Sequence, residues 1–424
     1  MLKNTKIRYG EKEVTIQIPE KWRLLFTGAP RNVAGIRDEI EEIRRAIRNP
    51  IGSKRLQQLV GPRKKIVIVS DDVARPTPTR KIVPTLLEEL RKSGAKEENI
   101  KIVIGRGTHR PLSKNEFRTK FGDKVVEEIQ VKDHDCDNKD KLAYFGKTSR
   151  GTRIWLNKTV ADADVKIGVG SIAPHPFAGY GGGAKIIVPG VSGRETINDN
   201  HLMVNTPNAQ MGIADGNPIR EDMEEIARKI VLDMKIDVVL NATMEIVKVF
   251  AGDFVEAHRE GIRLSKRVCG VEVPKIADVV IASGYPLDIW LLQATKGAFA
   301  ADMVTKQGGD VILASPCREG IGPSQIFGSQ LVRWGDKPHE FFEQMKNGEE
   351  DIPYGTTTYE VAKILSRKGL TLVTDGITEQ EVRAMHMNYA STIEEAIENM
   401  QKKHAKADVI VFPAGSMTLP LIRV

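Results

Sequence analysis

The sequence predicts an α/β protein of two domains, each a largely parallel, doubly wound sheet flanked by helices. Three observations predict it. Short apolar, β-branched runs, KIVIVS (65–70), KIVIG (101–105) and VKIGVG (165–170), each end in a polar loop and alternate with amphipathic helical stretches, as strand–helix–strand units do. The pattern restarts near residue 270 with IADVVIASG (276–284), GGDVILAS (308–315), LTLVTDG (370–376) and ADVIVFPAG (407–415). At 424 residues the chain is too long for one ordinary core. A boundary near 268–275 divides it into 1–270 and 271–424, with the last strand run a candidate to return to the first domain.

Residues 5–18 alternate apolar and polar, with a turn over Tyr9-Gly10-Glu11-Lys12, as a strand pair requires. Val33, Ile36, Ile40, Ile43 and Ile47 share one helical stripe. The helix after the first buried strand carries its core stripe on Ile82, Val83, Leu86, Leu87 and Leu90, and Gly94 stops it as a C′ residue. A strand-like run follows Lys185, and a helix is expected around 286–304. All three polar loops of the first domain, 71–80, 106–111 and 171–183, leave the carboxyl ends of strands, where such sheets bind ligands.

Composition is that of a soluble globular protein, with 41% hydrophobic, 28% charged and 5% aromatic residues. Sixty-three basic against 56 acidic residues leave +7, and segments such as RDEIEEIRRAIR (37–48) interleave the signs, as a solvated helix face does. No basic tract with interleaved aromatics occurs, which argues against a nucleic-acid partner. Cys136, Cys269 and Cys317 have no CxxC spacing, so neither a disulfide framework nor a cysteine zinc site is expected. The first residues are polar and alternating, and no window offers the ~20 apolar residues of a membrane span. A cytoplasmic protein with no membrane partner is expected.

The chemistry concentrates in Pro174–His201, PHPFAGYGGGAKIIVPGVSGRETINDNH. Glycines 179, 181, 182 and 183 allow close backbone approach to a ligand. Lys185 can bind or covalently hold an electrophilic cofactor. His175 and His201 are a candidate proton carrier and a candidate metal ligand. His201 has no partner histidine at helical spacing and no HExxH, so a metal there would need other ligands from an organic cofactor. The loop matches neither Walker A, since Ala184 and Ile186 flank Lys185, nor G-x-G-x-x-G. DDVARPTP (71–78) offers carboxylates and Arg75, a bidentate anion binder. Its bland reading is a helix-capping loop. GRGTHRP (105–111) sets His109 between arginines, a placement suited to proton transfer. Gln293 and Lys296 lie three apart, on one helix face, and suit a small carboxylate. His134, His258, His339, His386 and His404 are assigned no role.

DxxRPTP (72–78), GTHRP (107–111), PHPFAGYGGGAK…PG (174–190), His201 and QxxK (293–296) together resemble the nickel-pincer-nucleotide-dependent lactate racemase family over nearly the whole chain. The resemblance implies that 1–270 binds the cofactor and carries the catalytic groups, while 271–424 closes over the substrate cleft. It implies that Lys185 covalently tethers pyridinium-3,5-bisthiocarboxylic acid mononucleotide and that His201 is a ligand of its nickel. His109 and His175 match the paired acid/bases. Asp72, Val73, Ala74 and Arg75 match the cofactor loop, Arg75 also meeting substrate, and Gln293 and Lys296 match the substrate-orienting pair. The implied reaction interconverts D- and L-lactate by hydride transfer through pyruvate, a 2-keto acid. Separate cofactor-synthesis enzymes are implied for maturation. Leu292 and Tyr359 stand where some relatives carry a tyrosine and a tryptophan, so malate or another 2-hydroxy acid is the alternative substrate. A nucleotide-dependent transferase and a non-catalytic anion-binding module are the competing classes.

Overall fold

The computed structural model describes residues 3–422. It divides into two compact units, Asn32–Val268 and Met1–Arg31 together with Cys269–Val424. Each is built on a six-stranded sheet flanked by helices, the two-sheet α/β plan expected.

In Asn32–Val268 the sheet runs Ile246–Gly252, Met234–Leu240, Val165–Ser171, Ile66–Asp71, Ile100–Gly105, Gln130–Asp133. Only the first strand is antiparallel to its neighbour. Every residue of Ile66–Asp71 is buried, as expected of a central strand covered on both faces. Ile68, Ile82, Leu86, Leu90, Ile102, Ile167 and Ile236 meet in one core. Helix Thr79–Lys92 buries the stripe expected of it and gives way to Gly94 at φ +92°.

The helix expected over 33–47 starts later, at Glu39–Arg48. Asp38 accepts from the Glu41 amide at 2.9 Å and caps it. Before that cap the backbone is already committed: the Ile36 amide donates to the Ile246 carbonyl at 2.8 Å, and the Val33 carbonyl accepts from Asn241 at 2.9 Å. The run after Lys185 is also not a strand. Gly183–Ile186 is a 3₁₀ turn, entered through Gly182 and Gly183 at φ +73° and +57°.

The other unit orders its sheet Asn388–Ala390, Gly369–Val373, Thr305–Ala314, Ala277–Ser283, Asp408–Phe412, Arg23–Thr27, all parallel. The expected strand pair is the antiparallel hairpin Lys3–Tyr9 and Lys12–Ile18. Its Ile7, Ile16 and Ile18 pack with Trp22, Ile281, Val409 and Val411. Residues 1–31 therefore do not belong with the unit they precede, and the last strand run does not return to the first domain. A hairpin cannot bury enough surface by itself, and here it is anchored by Arg23–Thr27 pairing along Asp408–Phe412. Among the described residues no helix is long and apolar enough to cross a membrane, and Cys136, Cys269 and Cys317 are buried.

Candidate active site

The sheet of Asn32–Val268 changes direction at Ile66–Asp71. The chain first adds Ile100–Gly105 and Gln130–Asp133 on one side, then Val165–Ser171 and Met234–Leu240 on the other. The crevice beyond the carboxyl ends at such a switch point is where open α/β sheets take ligands. The loops leaving Asp71, Gly105 and Ser171 carry Asp72, His109 and His175.

Asp72 is 4% exposed, and its Oδ2 accepts from His109 Nδ1 at 2.5 Å. Burial pushes this carboxyl up. The His109 bond and charge, with Arg75 and Lys120 nearby, outweigh it and hold Asp72 below the usual carboxylate range. An ionised acceptor at Nδ1 selects the tautomer that leaves Nε2 able to take a proton. Its Oδ1 also accepts the Ala74 amide at 3.2 Å, so Asp72 both caps its own loop and orients a histidine. Val73 points outward, 41% exposed.

The fold adds a residue with no signal in the sequence. Lys120 ends a helix, Lys114–Phe121, whose composition reads as solvated, yet it is buried. Its Nζ donates to Asp71 Oδ1 and to the Asp72 carbonyl, both at 2.9 Å. Thr77 of the RPTP string donates its hydroxyl to Asp71 Oδ2. The loop thus closes around two carboxylates and one buried ammonium.

A second group forms around Phe177. Its ring meets His175 edge-on at 4.5 Å and His201 at 5.5 Å, and Lys185 Nζ lies 6.0 Å from its centroid. His175 is buried and pairs with Gly179 in a two-residue ribbon. Its Nδ1 accepts the Ala178 amide at 3.3 Å. His201 is the last residue of helix Arg194–His201. Burial first, then the Lys185 charge, push its ring down to about 3, against the pull of the Ile197 carbonyl. It is therefore neutral at physiological pH, and its Nδ1 is buried with no well-formed hydrogen bond, the Ile197 carbonyl exerting only a weak pull. Among the described residues no three His, Cys, Asp or Glu side chains converge on a metal position. The two groups adjoin: the Gly107 amide donates to the Gly190 carbonyl at 2.9 Å, four residues before Arg194.

Gly179 shows how tightly the loop is seated. A Cβ there would sit 1.9 Å from the Ile213 carbonyl oxygen, at φ +73°. Gly179→Ala is expected to cost more than about 1 kcal/mol in strain and displacement, read as a lower urea midpoint. An unchanged midpoint would show the loop to be adaptable.

His134 is buried, with Nε2 at 2.9 Å from the Ser192 carbonyl and Nδ1 taking Asn157 Nδ2 at 3.2 Å. Burial pushes it down to about 4. Because the folded state resists protonation that the unfolded chain accepts near 6.5, stability is full above that pH. It falls by about 1.4 kcal/mol per pH unit as pH drops from there toward 4. Urea melts from pH 7 to pH 5 should show this contribution added to that of the similarly depressed His201, and His134→Gln should reduce the total slope by about 1.4 kcal/mol per pH unit.

Gln293 and Lys296 lie in the other unit, on helix Leu291–Asp302 after strand Ala277–Ser283. Both are half-buried, and Gln293 Oε1 is buried without a hydrogen-bond partner. Tyr359 is buried, its ring 5.3 Å from Phe342.

Two parallel-sheet units, one bearing titratable side chains at its switch point, define the class as an α/β enzyme. The lactate racemase N-terminal domain matches residues 9–212 and the lactate racemase C-terminal domain residues 273–419. The chain belongs to the lactate racemase family, whose members are isomerases. The lactate racemase of Thermoanaerobacterium thermosaccharolyticum is 34% identical over 423 residues, covering 96% of this chain and 97% of that protein. That of Lactiplantibacillus plantarum is 34% identical over 416 residues, with the same shares. The lactate racemase apoprotein structure from T. thermosaccharolyticum superposes with a TM-score of 0.91 at 32% identity over 100% of both chains. A Thermotoga maritima protein at 19% identity and TM-score 0.70, covering 91% of this chain and 98% of its own, shares the fold.

Proposed function

We propose that this enzyme interconverts D- and L-lactate by removing the Cα hydrogen as hydride and returning it to the opposite face of pyruvate. The observation that carries the reading is the set of His175, His201 and Lys185 around Phe177. A neutral, buried imidazole whose Nδ1 has no well-formed hydrogen bond suits a soft divalent metal such as nickel. With no protein cage among the described residues, the remaining ligands would come from the organic part, here pyridinium-3,5-bisthiocarboxylic acid mononucleotide, with Lys185 as its covalent tether. When bound, that group supplies an electron-poor centre able to accept and return hydride.

The side chains do the proton work. His109, with Nδ1 held by Asp72, takes the substrate hydroxyl proton at Nε2, and the carboxylate meets the resulting charge. His175 serves the other enantiomer, whose hydroxyl points differently. Its 3.3 Å contact with the Ala178 amide is weak and opens readily when the ring takes a second proton. Arg75, Gln293 and Lys296 orient the carboxylate while the centre inverts. The Asp72–Arg75 loop, through Asp72 and the Val73 and Ala74 backbone, contacts the nucleotide.

The enzyme works in the cytoplasm, loaded by separate cofactor-synthesis enzymes. The test is intact mass and metal analysis of protein produced with those enzymes, followed by chiral assay on enantiopure lactate and malate. An adduct on Lys185, stoichiometric nickel and lactate racemisation are expected. An active sample with unmodified Lys185 overturns the reading, and activity on malate alone moves the substrate.

A further inference from the structure

The glycine loop is held by side chains that the reaction itself does not use. Arg220, on helix Pro218–Lys229, is 0% exposed. Its guanidinium donates to the Gly182 carbonyl at 2.9 Å, to the Ala178 carbonyl at 3.3 and 3.4 Å, and to the Tyr180 carbonyl. The Gly181 carbonyl accepts from His258 Nε2 at 2.8 Å. The Gly179 carbonyl accepts the Gly212 amide at 3.0 Å. The Gly183 amide donates to Asp237 Oδ2 at 2.8 Å, and Lys235 Nζ donates to the other oxygen of that carboxylate at 2.5 Å. Every carbonyl from Ala178 to Gly182 is therefore engaged from outside the loop.

Two of these carbonyls connect directly to the functional residues. Ala178 gives its carbonyl to Arg220 and its amide to the His175 ring at 3.3 Å. Gly182 gives its carbonyl both to Arg220 and to the Lys185 amide, the latter at 3.2 Å. One guanidinium thus stands one peptide unit from each. It hydrogen-bonds carbonyls and no carboxylate. Glu224, one turn along the same helix, is taken by Arg259 at 2.8 and 3.1 Å. Burying a guanidinium without a direct ion pair is costly, and here that cost is offset by donors matched to carbonyls that an apolar side chain would leave without this partner. What arginine adds is five donors in one rigid plane, which fix the directions of several carbonyls at once.

We propose that Arg220, with His258 and the Asp237–Lys235 pair behind it, is a positioning residue that sets where the glycine loop presents Lys185 and His175. The proposal rests on reading Lys185 as the tether, but its test does not. Full-length apoprotein is labelled competitively with acetic anhydride, and each lysine is followed by peptide mass spectrometry. Relative to exposed Lys21 and Lys402, Lys185 labelling in Arg220→Ala is expected to change by about fivefold or more. Methylguanidinium should restore it, and Arg220→Lys should fall between. Unchanged Lys185 labelling, or an equal change at all lysines, overturns the proposal. If Arg220→Ala does not fold, Asp237→Asn, which keeps shape and removes the charge, should still shift Lys185 selectively, and no shift overturns it. If wild-type protein produced with the cofactor-synthesis enzymes carries no adduct on Lys185 while Arg220→Ala apoprotein still shows the selective labelling shift, the tether falls and the clamp stands.

Discussion

Lys185→Ala is expected to abolish racemisation and to leave the fold intact. The side chain is half-buried on a 3₁₀ turn, and the turn's backbone bond from residue 185 to the Gly182 carbonyl does not need it. On the proposed mechanism, loss of the amine removes the cofactor's covalent anchor and with it the group that would accept and return hydride. Turnover should fall to background, a loss of at least about 10⁶-fold on the usual scale of enzymic rate enhancement. Lys185→Arg should fail equally, because a guanidinium stays protonated and is not a nucleophile at neutral pH. Thermal unfolding should move little, by about 0.5 kcal/mol or less in the apoprotein. Chiral chromatography and intact mass decide the matter, and surviving activity without an adduct would remove Lys185 from the chemistry.

Asp72→Asn should cost about 10²–10⁴ in kcat/KM, the range for loss of a positioned acid–base group. The amide keeps the shape but presents no charge to the His109 ring at 2.5 Å and no longer selects its tautomer. His109→Gln should cost a similar amount. The double variant should be little worse than either, because the pair acts as one unit. Mirror-image substrates have equal free energies, so kcat/KM must fall identically in the D-to-L and L-to-D directions. Individual kcat and KM values are free to diverge, and their divergence would show which enantiomer His109 serves. A full multiplicative loss in the double variant would argue that the two side chains act separately.

The parts legible in the sequence are those where one physical signal dominates. The β-branched run IVIV marked Ile66–Asp71, and Val165, Ile167 and Val169 marked Val165–Ser171 despite Lys166 and two glycines, since a strand buried on both faces shows little polar surface. Met234–Leu240 hid because its Lys235 and Asp237 neutralise each other inside the sheet, and inspection of the run alone reads them as solvated. The stripe from Val33 promised an early helix, but Asp38 and the pairing of Ile36 with Ile246 override spacing. Lys185, His175 and His201 stood out as chemistry-bearing types near glycines. Lys120, Arg220 and His258 did not, because nothing local distinguishes a buried donor bonded to distant carbonyls from one in water. Phe177, the ring shared by three of the site's side chains, is an ordinary apolar residue until the loop is folded.

The pairing of Arg23–Thr27 with Asp408–Phe412 bears on how the chain is made. The ribosome delivers one edge of that sheet first and its neighbour last, about 380 residues later, or roughly 20–80 s of synthesis. Throughout that interval Ile7, Ile16, Ile18 and Trp22 have no finished surface to cover them. The nascent protein thus keeps this apolar stretch uncovered while the whole intervening unit is made, and an unpaired strand edge exposed for that long is open to pairing with other chains.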